Sequence, residues 1–377
     1  MILAGIYIHI PFCRQKCHYC NFHFAVSQRN KSLLIDAILL EIDLSKDYLD
    51  NRSIQTLYFG GGTPSLLKPS ELESILQKIH SVYRIETGAE ITLEANPDDI
   101  QPGYLNDLKE LGINRLSLGV QSFDDDILQL LNRSHNAKDA IRSIQNIVDA
   151  GFDDFSIDLI FGMPGSDVDS WKKQLDQALE FPVPHFSFYN LTVEKRTALN
   201  HLVKTKQVIL PEEEIMARQF SFTHSYMAEK GYEHYEISNY ALPGRYARHN
   251  TAYWKGEPYL GIGPSAHSFN GISRQWNIAN NGRYINSIQQ GFLPFESEWL
   301  TPEDHYNEYL LTRMRTMWGC ELDDIRNMGN VFERHFLNNI APYLGDGRVI
   351  AQEGNFSLSL QGMLFADAIT SGLFFHE

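Results

Sequence analysis

Through the first 240 positions, short apolar runs rich in β-branched and aromatic residues alternate with segments whose apolar positions recur every three or four residues. The runs GIYIHI (5–10), TLYFGG (56–61), ITLEAN (91–96), RLSLGVQS (115–122), FSIDLIFG (155–162) and HFSFYNLTV (185–193) read as strands. Between them, PSELESILQKIHSVY puts Leu72, Ile75, Leu76, Ile79 and Val82 on one helical face, with Pro69 in the first turn. NAKDAIRSIQNIVDAG does the same with Ala140, Ile141, Ile144, Ile147 and Val148, and Gly151 is a natural C-terminal stop. Strand followed by helix, six times over, predicts an α/β core: a parallel sheet with helices outside. Several strands end in glycine or polar residues, namely Gly60 to Thr63, Glu94, Gln121 and Asp158. Barrel-like α/β folds place their sites at the C-terminal ends of strands, so function is expected at those endings.

The pattern changes after about residue 230. EHYEISNYA (233–241) reads as one more strand, and RHNTAYWKGEPYLGIGPSAHSF (248–269) is rich in aromatics, glycine and histidine without a clear period. Helical patterning returns after Thr301 in PEDHYNEYLLTRMRTM, DDIRNM and VFERHFLNNIAPYL. A hairpin turning at Glu353-Gly354 and a last helix over 363–370 follow. The expected organisation is a core over 1–230, a connecting segment over 231–300 and a smaller α+β domain over 301–377 that resembles a winged helix. There is no internal repeat at solenoid periods and no low-complexity tract.

Composition narrows the function. The chain has 377 residues, 43% of them hydrophobic, and a net charge of -15 from 32 basic and 47 acidic residues. Such acidity argues against sequence-independent nucleic-acid binding, where phosphate neutralisation dominates, and against peripheral binding to anionic membranes. No apolar run reaches the ~20 residues of a membrane span. The start MILAGIYIHIPF lacks a basic n-region and a small-residue cleavage site, so it reads as a strand rather than a secretory signal. Four cysteines in this length do not make a disulfide framework, and a cytoplasmic protein is expected. GPSAH (263–267) is not GxSxG, so hydrolase chemistry is set aside.

Three of the four cysteines, Cys13, Cys17 and Cys20, fall within CRQKCHYC; Cys320 stands apart. Thiolates select zinc, copper(I) or iron–sulfur centres. Three in one loop allow a Cys3His zinc knuckle completed by His18 or His23, a CxxC redox pair of Cys17 and Cys20, or a cluster with one iron left free of protein. The CxxxCxxC spacing just after a first strand resembles the radical S-adenosylmethionine (SAM) enzymes. That resemblance implies a 4Fe-4S cluster on Cys13, Cys17 and Cys20, with SAM on the fourth iron. It also implies reductive cleavage of SAM to a 5′-deoxyadenosyl radical inside a partial (β/α)6 TIM-like barrel. The motifs YIHIPFCRQKCHYC, FGGGTPS, LEANP, RLSLGVQSF, LNR and IDLIFGMPG together resemble oxygen-independent coproporphyrinogen III oxidase and its relatives. The matching positions imply SAM contacts by Tyr7, Gly61, Gly62, Thr63, Glu94, Gln121, Arg133 and Asp158. No catalytic residue is assigned beyond the cluster.

Two departures separate the chain from the oxidase. Phe22 stands where the oxidase has a further cysteine, and only twelve residues precede Cys13, too few for the oxidase's N-terminal arm. HNTAYW (249–254) is similar to the HNxxYW motif of the heme chaperone branch of that family. The resemblance implies heme as a ligand, with His249 as a candidate iron ligand and Tyr253 and Trp254 as flat faces for a porphyrin. His234 and His267 are further candidates, and His9 reads as structural. Implied partners are heme and heme-acceptor proteins, membrane-associated respiratory enzymes among them. Oxidative decarboxylation of coproporphyrinogen III is the alternative, and enzymatic turnover stays open between the two.

Overall fold

The six strands expected in the core all form, with boundaries shifted by a few residues. The computed structural model describes residues 3–50 and 52–376. Strands β1 (Leu3–Ile10), β2 (Ser53–Gly61), β3 (Ile85–Ala95), β4 (Arg115–Gln121), β5 (Phe155–Phe161) and β6 (His185–Asn190) lie side by side in chain order, all parallel. Helices α1 (Lys31–Leu44), α2 (Pro69–Val82), α3 (Pro102–Glu110), α4 (Asp125–Leu130), α5 (Ala137–Asp149) and α6 (Val168–Ala178) connect them. After β6 come α7 (Ala198–Lys204) and α8 (Glu213–Glu229). This is the (β/α)6 order of a partial barrel. One row of each strand is apolar and belongs to the core under the helices, Ile6, Ile8 and Ile10 of β1 and Leu116, Leu118 and Val120 of β4 among them, while the alternate row is largely polar, with Tyr7, His9, Thr56, Tyr58 and Glu94. Leu72, Ile75, Leu76 and Ile79 of α2 and Ala140, Ile144 and Ile147 of α5 are buried in the same core.

The sheet extends at both edges, where the sequence pattern is weak. EHYEISNYA is not one strand: it folds into β7 (Glu233–Glu236) and β8 (Asn239–Ala241), an antiparallel pair, with β8 antiparallel to β6. The aperiodic segment forms helix α9 (Arg248–Trp254) and strand β9 (Tyr259–Ile262), and β9 lies parallel to β1. Beyond it, β10 (His267–Phe269), β11 (Ser273–Asn277) and β12 (Phe295–Trp299) run antiparallel, with α10 (Asn281–Gln289) between β11 and β12. Among the described residues the result is one twelve-stranded sheet. Buried Glu41 of α1 fastens this extension: it accepts from the Gly263 amide at 2.7 Å, from Asn277 Nδ2 and from Tyr284 Oη.

The last part has its own core of Tyr306, Leu310, Phe332, Phe336, Ile340 and Phe356, with fully buried Cys320 in it. It comprises α11 (Pro302–Arg313), β13 (Cys320–Glu321), α12 (Leu322–Met328), α13 (Asn330–Gly345) and the hairpin β14 (Val349–Gln352) and β15 (Asn355–Leu358). The hairpin turns as expected on Glu353 and Gly354, both at positive φ, the signature of a type I′ turn. Two short helices, α14 (Leu360–Met363) and α15 (Ala366–Gly372), replace the single last helix read from the sequence. Among the described residues no helix is long and apolar enough to cross a membrane.

Candidate functional site

The cysteine loop leaves the C-terminal end of β1 and is tied down on three sides. Arg14 pairs with Asp99, which accepts from Ser65 Oγ at 2.7 Å. The His18 amide and ring nitrogen Nδ1 reach the carbonyls of Leu131 (2.9 Å) and Leu130 (2.8 Å). Gln15 Nε2 donates to Asn132 O at 2.9 Å and Asn132 Nδ2 to Lys16 O at 2.7 Å. These bonds dock the loop on the turn after α4, a contact between positions more than a hundred residues apart that no local pattern encodes.

Arg133 follows in that turn. Its Nη1 donates to Cys17 Sγ at 3.3 Å, and its Nη2 to Asn96 Oδ1 and Gly119 O, both at 2.7 Å. Burial pushes the Cys13 thiol up to about 11 and raises Cys20 as well; the neighbouring thiols add to this, while Arg133 opposes it. For Cys13 and Cys20 a bound metal would be needed to displace the proton. Cys320 takes no part. Neither histidine of the zinc alternative turns to the thiols: His18 is held as described, and His23 Nε2 bonds Asn281 Oδ1 at 2.7 Å. Among the described residues no three His, Cys, Asp or Glu side chains could hold a single ion.

Of the residues expected at strand ends, Gly61 to Thr63 lie against this loop and Glu94 and Gln121 sit at the C-terminal ends of β3 and β4, whereas Asp158 lies in the middle of β5, because that strand runs on to Phe161. The amides of Gly62 and Thr63 donate to Ile10 O (2.9 Å) and Phe12 O (2.7 Å), locking β2's end to the cysteine loop. A Cβ on Gly62 would stand 2.7 Å from Phe12 O, so the glycine is required by this backbone contact. Gly61 has φ +107° and donates its amide to Glu94 Oε2 at 3.1 Å; Tyr58 Oη donates to Glu94 Oε1 at 2.8 Å. Burial raises Glu94 to about 7 and Asp158 to about 6, and Asp158 adds to the shift of Glu94. Gln121 ends β4 at φ 70°, a left-handed conformation costly for a non-glycine residue and typical of functional sites. Among the described residues, Asp158 Oδ1 and Arg133 Nε are buried with no hydrogen-bond partner. Such orphaned polar atoms beside three thiols fit a polar ligand bound next to a metal centre.

A cavity of about 710 Å³ lies beside this group; of the eight predicted SAM contacts Tyr7 and Glu94 line it, and Gly61 to Thr63, Gln121, Arg133 and Asp158 do not. Tyr7 and Glu94 line one part of it, Phe22 and His23 another, and His249, Tyr253 and Trp254 of α9 a third. The HNTAYW motif is thus helical. Its N-terminus is capped from β3: Glu90 accepts the amides of Arg248 (2.8 Å) and His249 (2.9 Å). Fully buried Arg115 lies in the field of Glu90 and pairs with Asp154 at 3.4 Å. The His249 ring stacks on Tyr58 at 5.0 Å, and its Nδ1 bonds Thr56 Oγ1 at 2.8 Å. Nε2 has no hydrogen-bond partner among the described residues. Burial, with the charge of Arg115, lowers this imidazole to about 4, which keeps it neutral and able to ligate a metal.

Of the other histidines, His267 lines the cavity and stacks on Trp276, whereas His234 is held away from it by His224 (2.9 Å) and Ile237 O (2.9 Å). His9 lines the cavity with both ring nitrogens bonded, to Tyr7 Oη and His23 O. The sequence reading missed Thr56, Tyr58, Glu90, Arg115 and Arg274. The first two sit inside the strand run TLYFGG and looked like core.

The sequence profile of the Radical SAM superfamily matches residues 7–178, and that of the HemN C-terminal domain matches 300–365. The heme chaperone HemW of Bacillus subtilis (strain 168) is 34% identical over 320 residues, 84% of each chain. That of Mycobacterium tuberculosis (strain ATCC 25618 / H37Rv) is 31% identical over 374 residues, 98% of this chain and 94% of the relative. The chain belongs to the radical SAM superfamily, in its HemW branch. Its fold is that of the radical SAM enzyme coproporphyrinogen III oxidase (HemN) from Escherichia coli. The TM-score to that structure is 0.85, covering 99% of this chain and 90% of the other at 22% identity. Membership of the radical SAM superfamily implies a 4Fe-4S cluster and SAM. The thiols and the orphaned polar atoms described above are compatible with both.

Proposed function

We propose that this protein is a cytoplasmic heme chaperone that binds heme in the 710 Å³ cavity and passes it to acceptor proteins. The observation that carries the reading is the setting of His249. Its Nδ1 is engaged by buried Thr56, its Nε2 is free, and aromatic faces stand beside it in a cavity of the size that holds cofactors. Cys13, Cys17 and Cys20 would hold the cluster. Tyr7, Gly61, Gly62, Thr63, Glu94, Gln121, Arg133 and Asp158 would hold SAM, whose one-electron cleavage supplies radical chemistry when it is used. The residues act by orientation: Arg133 places a cation beside Cys17, and Glu94 offers a carboxylate to hydroxyl donors. The core over 1–230 would carry the cluster and SAM, and the segment over 231–300 the heme contacts.

The experiment is a heme titration of anaerobically reconstituted protein, followed at the Soret band. Saturation at about one heme per chain is expected. His249→Ala should keep iron and sulfide but weaken heme at least about tenfold. No saturable binding by the parent protein would remove the heme role. A second reading, oxidative decarboxylation of coproporphyrinogen III, is favoured by one observation: Tyr7 and Glu94 line the same cavity as His249. Product analysis with SAM and a reductant decides it. Formation of protoporphyrinogen would replace the chaperone reading.

A further inference from the structure

A second, smaller cavity of about 190 Å³ adjoins the large one, and Tyr253, Glu257, Tyr259 and Arg274 line both. We propose that this small cavity is a carboxylate-binding subsite that receives the acidic side arms of a tetrapyrrole whose ring lies in the large cavity. The proposal rests on the heme reading above and adds which edge of the ligand is recognised, and by which residues.

Charge is the first argument. The protein as a whole carries -15, yet the small cavity is lined by Lys255, Arg274 and Arg313 against two carboxylates, Glu257 and Glu308. Glu257 is already engaged by the Gln55 amide. Glu308 pairs with Arg274 at 2.8 Å, while burial pushes its carboxyl up against that pull. Asp304 and Glu298 add negative field at Glu308. Lys255 and Arg313 pair with no carboxylate among the described residues. Their cationic heads lie over aromatic rings, Lys255 at 4.9 Å from the centroid of Trp318 and Arg313 at 5.6 Å from that of Tyr309. Arg274 Nε is buried with no hydrogen-bond partner among the described residues. Two cations with no carboxylate partner among the described residues, the exposed Lys255 and the half-buried Arg313, and one orphaned guanidinium donor line a concave site of an acidic protein and suit an anionic ligand.

Geometry is the second argument. His249 and Tyr253 are four residues apart on α9, about 6 Å along its axis. Tyr253 forms part of the wall between the cavities. A flat ring held at His249 would run along this helix and present its edge at Arg274. A ligand apolar over its faces and anionic at one edge matches that sequence of surfaces.

Heme and its dimethyl ester, in which both propionates are neutral, serve as the probe pair. The parent protein should bind heme about tenfold or more tightly than the ester. In Lys255→Gln/Arg313→Gln, chosen because neither residue leaves a carboxylate unpaired, heme affinity should fall to near that of the ester. Affinity for the ester should stay unchanged. Arg274→Gln, which also frees Glu308, should likewise abolish the preference for heme over the ester. Equal binding of the two ligands by the parent protein would overturn the subsite. So would a preference retained in both variants, or an equal loss of both ligands, which would mark the residues as structural. Failure of the parent protein to bind either ligand would instead overturn the heme reading itself.

Discussion

Glu94 is a carboxylate surrounded by neutral donors and a second acid. Tyr58 and the Gly61 amide bond it, but burial and the nearby Asp158 raise it from 4.5 to about 7. A group whose folded value is raised favours folding in its protonated form. That stabilisation is complete below about pH 4.5 and is lost as pH rises through about 7. Glu94→Gln keeps the shape and removes the titration. In ligand-free protein the variant should gain on the parent by up to about 3 kcal/mol between pH 4.5 and pH 8. Urea denaturation of both proteins across that range measures it. His249 and His9, each lowered to about 4, act in the opposite sense, so the difference between the two proteins is the quantity to read. The same substitution should weaken SAM binding. Glu94 was legible because a polar residue at the end of an apolar strand has no packing reason to be there. Thr56 was not: a threonine inside a strand is ordinary, and its bond to His249 spans 193 positions.

At the scale of elements, long periodic segments formed as read, while short ones were decided by their neighbours. α9 has seven residues, and Ala247 gives it no side-chain cap. A helix so short is marginal alone, and it is held by the Glu90 carboxylate of β3. Glu90→Gln would leave buried Arg115 without its strongest opposing charge and weaken the cap. The expected loss is about 3 kcal/mol of stability by chemical denaturation, accompanied by weaker heme uptake. Strand β9 escaped notice because YLGI is four residues flanked by glycine and proline, and its partner β1 lies some 250 positions earlier. EHYEISNYA divided in two because Ile237 and Ser238 turn the chain, letting β7 pair back on β8.

Across the whole molecule, the cysteine loop hangs on the barrel without being part of its core: the apolar cluster contains Phe12 but none of the three thiols. Cys17→Ser should therefore lose iron and sulfide, with a melting temperature near that of the parent protein prepared without the cluster. Unchanged iron content in the variant would contradict the assignment. The C-terminal part keeps a separate core and meets the barrel through Arg315, which pairs with Glu236 of β7 at 3.2 Å and lies over Trp254 of α9.

By itself the chain's pattern determined the six parallel strands, their covering helices and the three clustered thiols. Each of these is written in local spacing: a period of two or 3.6 for burial, three and then two intervening residues for a metal loop. Tertiary structure alone decided the rest. It brought α9 over β2, closed a cavity between Glu94 and His249, and left Arg274 between two cavities. Those contacts join residues far apart in the chain, and their energy comes from burial and pairing that exist only once the sheet has assembled.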